Sequence, residues 1–189
     1  MSGVIRVHKF VQKTEVEGPG PRMAIWVQGC SIRCHNCYEE DAWDINGGYA
    51  MSIDEIVALT EGIEGITVLG GEPSEQAEGV AELLERFKLR DKNCIVFSGY
   101  TLEELREKNS IAINDMLKYT DLLVDGRYDD QNRELRRSMV GSSNQRFIPL
   151  SDEGKSLIKR IKQYRNSIEI HILPNGAVCI NGMWKEGEQ

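Results

Sequence analysis

The chemistry-bearing residues of this chain crowd into one short loop. Cys30-Ser-Ile-Arg-Cys34-His-Asn-Cys37 places three thiols within eight residues. Thiolates are soft ligands, suited to zinc or to iron–sulfur clusters. A structural zinc site closes its tetrahedron with four protein ligands. Three thiolates with no second Cys/His pair nearby fit a [4Fe–4S] cube better, holding three irons and leaving the fourth open. His35 lies between two ligating cysteines, where it is poorly placed to reach the same metal, and reads as a loop residue beside the cluster. The chain has five cysteines, an odd count that no closed disulfide framework would use. Cys94 in an apolar stretch and Cys179 in a final hairpin read as small buried hydrophobes.

The elements that must carry this loop follow from periodicity and punctuation. Val4 to Lys13 alternates as a strand, and Gly18-Pro19-Gly20-Pro21 forces a turn. Met23 to Val27 is a continuous apolar run, expected of a strand buried on both faces, and it runs straight into Gly29-Cys30. Ser52 with Glu55 makes a capping box ahead of a helix, and Thr101 with Glu104 repeats the pattern. Ser74 is expected to cap the helix of Val80, Leu83, Leu84 and Phe87. Ile66–Leu69, Cys94–Phe97 and Leu122–Val124 read as further strands, Ser151 to Arg165 as a helix. Ile168–Ile172 leads to an Asn175-Gly176 hairpin turn. Strands alternating with capped helices indicate parallel βαβ units, whose chemistry gathers at the C-terminal strand ends. Those ends read Gly29-Cys30, Gly70-Gly71-Glu72, Ser98-Gly99-Tyr100 and Asp125-Gly126-Arg127. Periodicity alone leaves an open sheet and a partial barrel both standing.

Composition narrows the class. At 189 residues the chain suits one domain, 1–189, with the hairpin as a C-terminal extension. The formal charge of −7, with no basic block, argues against a nucleic-acid partner. Much of the acidity comes from Glu61, Glu64, Glu75, Glu78, Glu82 and Glu85, read as solvated helix faces. No apolar run approaches the ~20 residues of a membrane span. The N-terminus lacks a basic stretch followed by an apolar core, so a cytoplasmic location is the default expectation.

The C-x3-C-x2-C spacing after a first strand resembles the signature of the radical S-adenosylmethionine superfamily. Gly18-Pro-Gly-Pro-Arg22, Trp26-Val-Gln-Gly-Cys30, Trp43-Asp44, Gly70-Gly71-Glu72-Pro73, Phe97-Ser98-Gly99-Tyr100-Thr101, Asp121-Leu-Leu-Val-Asp125-Gly126 and Gly141-Ser-Ser-Asn-Gln-Arg146 follow in order. Together they are similar to the anaerobic ribonucleotide reductase activating subfamily, the glycyl-radical-enzyme activases. The resemblance implies a partial (β/α) barrel of parallel strands with flanking helices, and a cluster on Cys30, Cys34 and Cys37 at its mouth. It implies that the open iron binds the methionine part of S-adenosylmethionine, whose reductive cleavage gives a 5′-deoxyadenosyl radical. Gly70, Gly71 and Glu72 would meet the methionine amino group, with the glycines letting backbone approach the cofactor closely. Ser98 and Gly99 would approach the cofactor from the next strand. Asp125 and Arg127 would flank it, Arg127 as a candidate partner of the methionine carboxylate. Many superfamily members carry an aromatic residue before the third cysteine; here it is Asn36, and Tyr38 follows instead.

The leading expectation is an activase that installs a glycyl radical on a partner enzyme, fed by a one-electron donor such as flavodoxin or ferredoxin. The alternatives are a radical enzyme acting on a peptide or small molecule, and an iron–sulfur electron carrier. A carrier needs no cofactor cradle, so Gly70-Gly71-Glu72 counts against the last.

Overall fold

The structure is a computed structural model, and it describes residues 3–134, 136–172, 176 and 178–183, the Cys179 side chain excepted. The expectations for Cys179 and Asn175 therefore lie outside what is described. The chain runs β1 (Val4–Thr14), β2 (Arg22–Val27), β3 (Tyr49–Ser52), α1 (Ile53–Val57), β4 (Gly65–Gly70), α2 (Ala77–Lys88), β5 (Asn93–Ser98), α3 (Leu102–Glu107), α4 (Ile111–Tyr119), β6 (Leu122–Asp125), β7 (Arg146–Pro149), α5 (Asp152–Ile161), β8 (Ile168–Ile172) and β9 (Val178–Gly182). Seven strands form one sheet in the order β3-β1-β2-β4-β5-β6-β7, and β8 and β9 form a separate hairpin.

The centre of the sheet is parallel: β2 pairs with β4, β4 with β5, and β5 with β6. The flanks are antiparallel, through β1 with β2, β1 with β3, and β6 with β7. The sheet is thus mixed: the expected parallel strands form its centre, and antiparallel strands flank them on both sides. β3 and β7 escaped the sequence reading because each has four residues and little burial. Pro149 ends β7 at the sheet edge, where its missing N–H costs no ladder bond.

Strand alternation divides the core by face. Ile25, Ile66, Val68, Cys94, Val96 and Leu123 point to one side, packing against Ile56 of α1, Leu83, Leu84 and Phe87 of α2, Leu105 of α3, and Met116 of α4. Each such large side chain contributes roughly 1.5–3 kcal/mol by leaving water. The other parity, Ile95, Leu122 and Val124, meets Leu157 and Ile161 of α5. That second face is also where Trp26 and Leu69 lie, at paired register positions.

Local signals account for the helix starts. Both capping boxes form, Ser52 with Glu55 and Thr101 with Glu104. Ser151 caps α5, which ends at Ile161 rather than Arg165. Ser74 does not cap α2. It sits in a 3-10 turn, Pro73–Gln76, whose cap is the Glu72 side chain. Cys94 is fully buried, and burial pushes its thiol up to about 12, so it is inert as the sequence suggested. Beneath the second face, Arg22 is wholly buried and forms no ion pair among the described residues. It donates to Thr67 Oγ1 (2.7 Å), Pro19 O (2.9 Å), Ile66 O (3.0 Å) and Asn93 Oδ1 (3.0 Å). Burial lowers its guanidinium to about 10, with the charge of Glu64 working the other way.

Candidate functional site

The cysteine loop leaves the C-terminal end of β2 and is pinned on both sides. Gly29 N donates to Ala42 O (2.7 Å) and Cys30 N to Trp43 O (3.2 Å). From the β4 end, Gly71 N donates to Val27 O and Glu72 N to Gly29 O, both at 2.8 Å. Ser31 N donates to Glu75 Oε1 (2.7 Å), and the Gln28 amide reaches Asp44 O (2.7 Å). Within the loop Arg33 and Asn36 take left-handed backbone, φ 50° and 52°, one before each of the last two cysteines. Asn tolerates that conformation better than an aromatic residue would, which gives Asn36 a local reason. Its Nδ2 also donates to Asp130 Oδ2 (2.6 Å), tying the loop to the segment after β6.

All three thiols line one cavity on the second face of the sheet, at the C-terminal ends of the parallel strands. Its floor is Trp26, Leu69 and Phe97. Gly70, Gly71, Glu72, Ser98 and Gly99 line it as well, so the structure brings these five expected residues together with the cysteines. Among the described residues no three His, Cys, Asp or Glu side chains converge as ligands of a single metal ion. Burial raises the Cys30 and Cys34 thiols, and a backbone hydrogen bond to Cys34 from Tyr128 works the other way. His35 stands 83% exposed near Asp130 and does not line the cavity, as its loop reading implies.

Glu72 is the most telling cavity group. Its carboxylate is 1% exposed, and burial pushes its pKa up. Oε1 accepts from Ser74 N (2.9 Å) and Ser98 Oγ (2.9 Å), and Oε2 from Gly99 N (2.9 Å). Every one of these donors is neutral, and no described Lys, Arg or His pairs with it. A buried carboxylate without a counter-charge is costly unless a cation arrives. Glu17 and Glu39 also line the cavity, both raised by burial, Glu17 to about 7. No basic side chain lines it among the described residues. A wall of carboxylates and thiols fits a cationic cofactor such as S-adenosylmethionine, which carries an ammonium and a sulfonium.

Two expected members are not in the lining. Asp125 is fully buried and committed to Arg146 (2.9 and 2.6 Å) and to Leu102 N (2.7 Å), where it holds the start of α3. Arg127 donates to Glu104 Oε1 (2.9 Å) and lies over the Tyr100 ring. The glycines, besides lining the cavity, are packed tightly against neighbouring backbone and side chains. A Cβ on Gly71 would stand 2.3 Å from Gly29 O and 2.9 Å from Val27 O, so what approaches Gly71 closely is the backbone leading to Cys30. Gly70, at φ +100°, is likewise pressed against Trp26. A Cβ on Gly99 would meet Ile32 of the cysteine loop at 2.5 Å.

Sequence reasoning missed Glu17, Glu39 and Tyr128, and had Trp43 only as part of a motif, not as a cavity residue. Tyr128 brings an aromatic ring to the cavity and packs on Tyr38, centroids 5.2 Å apart. Tyr38 itself is 68% exposed and outside the lining. The Trp43 Nε1 donor is buried with no partner among the described residues.

The 4Fe–4S single cluster domain family matches residues 16–148. The chain is 30% identical over 146 residues to the anaerobic ribonucleoside-triphosphate reductase-activating protein of Enterobacteria phage T4, covering 72% of this chain and 89% of that protein. Against the protein of the same name from Vibrio cholerae the identity is 30% over 149 residues, covering 73% and 94%. Against the pyruvate formate-lyase 1-activating enzyme of Escherichia coli K12 it is 29% over 157 residues, covering 78% of this chain but 61% of that enzyme. The cavity holds three thiols on the loop that the matched segment contains, and the chain belongs to the 4Fe–4S single cluster domain family.

Proposed function

We propose that the protein is a radical S-adenosylmethionine activase that installs a glycyl radical on an anaerobic ribonucleotide reductase or a similar partner enzyme. The observation that carries this reading is one cavity lined both by three cysteines and by a buried, uncompensated carboxylate, in a chain akin to reductase-activating proteins. Bound together, the cluster and S-adenosylmethionine supply a one-electron cleavage whose 5′-deoxyadenosyl product abstracts hydrogen.

The chain's own residues bind, orient and exclude water. Cys30, Cys34 and Cys37 ligate three irons. Glu72 receives the methionine ammonium, held in place by Ser74, Ser98 and Gly99, so its carboxylate needs no reorganisation when the cation arrives. Gly70 and Gly71 let β4 end close enough to the cysteine loop to set its height above the sheet. Asp125 and Arg127 act at one remove, fixing the start of α3 and the turn around Tyr100. Trp26, Leu69 and Phe97 keep the floor apolar, which protects a reactive radical from solvent. The open sheet serves as the partial barrel around this site, and 1–189 works as one domain. A cytoplasmic setting and a low-potential flavodoxin or ferredoxin complete the reading.

Anaerobic reconstitution with iron and sulfide, then reduction and addition of S-adenosylmethionine, should release 5′-deoxyadenosine. Cys34→Ala should abolish it. A wild-type protein that reconstitutes its cluster but never cleaves the cofactor would leave the electron-carrier reading in its place.

A further inference from the structure

The C-terminal hairpin is built inside out. Ile170 stands opposite Ile180, Ile172 opposite Val178, and Ile168 opposite Gly182. Since side chains alternate along a strand and cross-strand partners share a face, these five aliphatic residues form one surface. They are 39–75% exposed, and they make up five of the eleven large hydrophobic side chains exposed among the described residues. The opposite face is polar and docked. Glu169 accepts from Thr14 Oγ1 (2.7 Å) and Glu15 N (2.9 Å), and Asn181 Nδ2 donates to Thr14 Oγ1 (3.0 Å). A surface hairpin ordinarily buries its apolar face and wets the polar one. Here the reverse holds, and clustered exposed aliphatic residues mark an interaction site.

The Ile168–Gly182 end of the hairpin adjoins the cavity. Gly182 N donates to Glu17 Oε1 (2.8 Å), and Glu17 and Met183 both line the cavity. The hairpin also lies beyond residue 148, outside the segment shared with the family, where a specificity element for one partner can vary without disturbing the cluster. A second copy of the chain is the weaker occupant. Five part-exposed aliphatic side chains supply on the order of a few hundred Å², below the ~800 Å² per partner of a stable interface. A permanent dimer at the cavity rim would also obstruct a protein substrate.

We propose that the outer face of the β8–β9 hairpin docks an apolar segment of the protein whose glycine is presented to the cavity. This rests on the activase reading. The patch gives the partner a foothold beside the cavity while staying small enough to release it after one hydrogen transfer.

The test uses the full chain with its cluster and the anaerobic ribonucleoside-triphosphate reductase of the same organism. Ile170→Thr combined with Ile180→Thr removes apolar surface yet keeps β-branched residues in the strands. Ile172→Lys, at the most exposed position of the patch, is the second variant, and Ile111→Thr on α4 is the control. Binding to immobilised reductase should weaken roughly tenfold or more in both hairpin variants, a change of about 1.4 kcal/mol per tenfold, and remain unchanged in the control. The reductase concentration giving half-maximal radical should rise with it, while 5′-deoxyadenosine made without reductase stays at the wild-type level. Equal binding by wild type and both variants would overturn the proposal. So would sedimentation showing a wild-type dimer that the variants dissociate, which would assign the face to a second copy. Wild-type protein that neither binds the reductase nor forms a radical on it refutes the activase reading itself, an outcome distinct from a normal radical yield in the variants.

Discussion

Gly71→Ala tests how the cysteine loop is held. The added methyl would sit 2.3 Å from Gly29 O and 2.9 Å from Val27 O, both backbone atoms with no flexible end to swing away. Relief requires β4 and the loop to part by several tenths of an ångström or more. That motion strains the two 2.8 Å bonds, Gly71 N to Val27 O and Glu72 N to Gly29 O. Losing both costs about 1–3 kcal/mol, and residual overpacking adds about 1–3 kcal/mol. A total near 2–6 kcal/mol should lower the melting temperature by roughly 4–24 °C for a chain of this size. Because Gly29 precedes Cys30 directly, the same displacement should also reduce iron bound per chain after reconstitution. Calorimetry of the cluster-free protein gives the first quantity, and iron and sulfide analysis the second. An alanine variant that melts and reconstitutes like wild type would refute the account of Gly71 as a spacer between β4 and the loop.

Three further outcomes follow from the same geometry. Glu72→Gln should weaken S-adenosylmethionine binding roughly ten- to hundredfold, the loss of one charge-assisted contact, as read by EPR titration of the reduced cluster; unchanged affinity would remove Glu72 from the ammonium site. Cys30→Ala, Cys34→Ala and Cys37→Ala should each abolish the visible iron–sulfur absorbance while Cys94→Ala keeps it, and an essential Cys94 would contradict the three-ligand site. For Glu17, burial raises the folded pKa from 4.5 to about 7, so the folded state binds its proton more tightly than the unfolded chain. The resulting stabilisation is present below pH 4.5 and lost as pH rises through 7. Glu17→Gln should therefore stabilise the cluster-free protein by up to about 3 kcal/mol at pH 8 and hardly at all at pH 4, measured by denaturant titration; equal gains at both pH values would rule out a charge effect.

The parts legible in the sequence were those written in adjacent residues. The three thiols, the Gly70-Gly71-Glu72 turn and both capping boxes needed only local spacing, and the four central strands announced themselves as apolar runs. What stayed hidden depends on direction or on distance along the chain. Asp125 and Arg127 stand at the right strand end, yet their charges turn to Arg146 and Glu104, and no local signal says which way a polar side chain points. Glu17 and Tyr128 reach one cavity from opposite sides of the matched segment, so only the folded sheet joins them. Ser74 offered a plausible helix cap, but Glu72 took that role by capping the turn ahead of α2. The edge strands β3 and β7 are too short and too exposed to show a period. Arg22 read as one letter of a motif, whereas the structure makes it a buried brace joining Pro19, Ile66, Thr67 and Asn93.

The central claim is radical transfer to a partner's glycine, and one spectrum tests it most directly. Reduced, cluster-loaded protein is mixed anaerobically with S-adenosylmethionine and the reductase of the same organism, and the EPR signal of the re-purified reductase is recorded. The account predicts a stable carbon-centred doublet, split by the glycine α-hydrogen, which collapses towards a singlet when the reductase is grown on α-deuterated glycine. Cofactor cleavage to 5′-deoxyadenosine with no such signal on the reductase would contradict it.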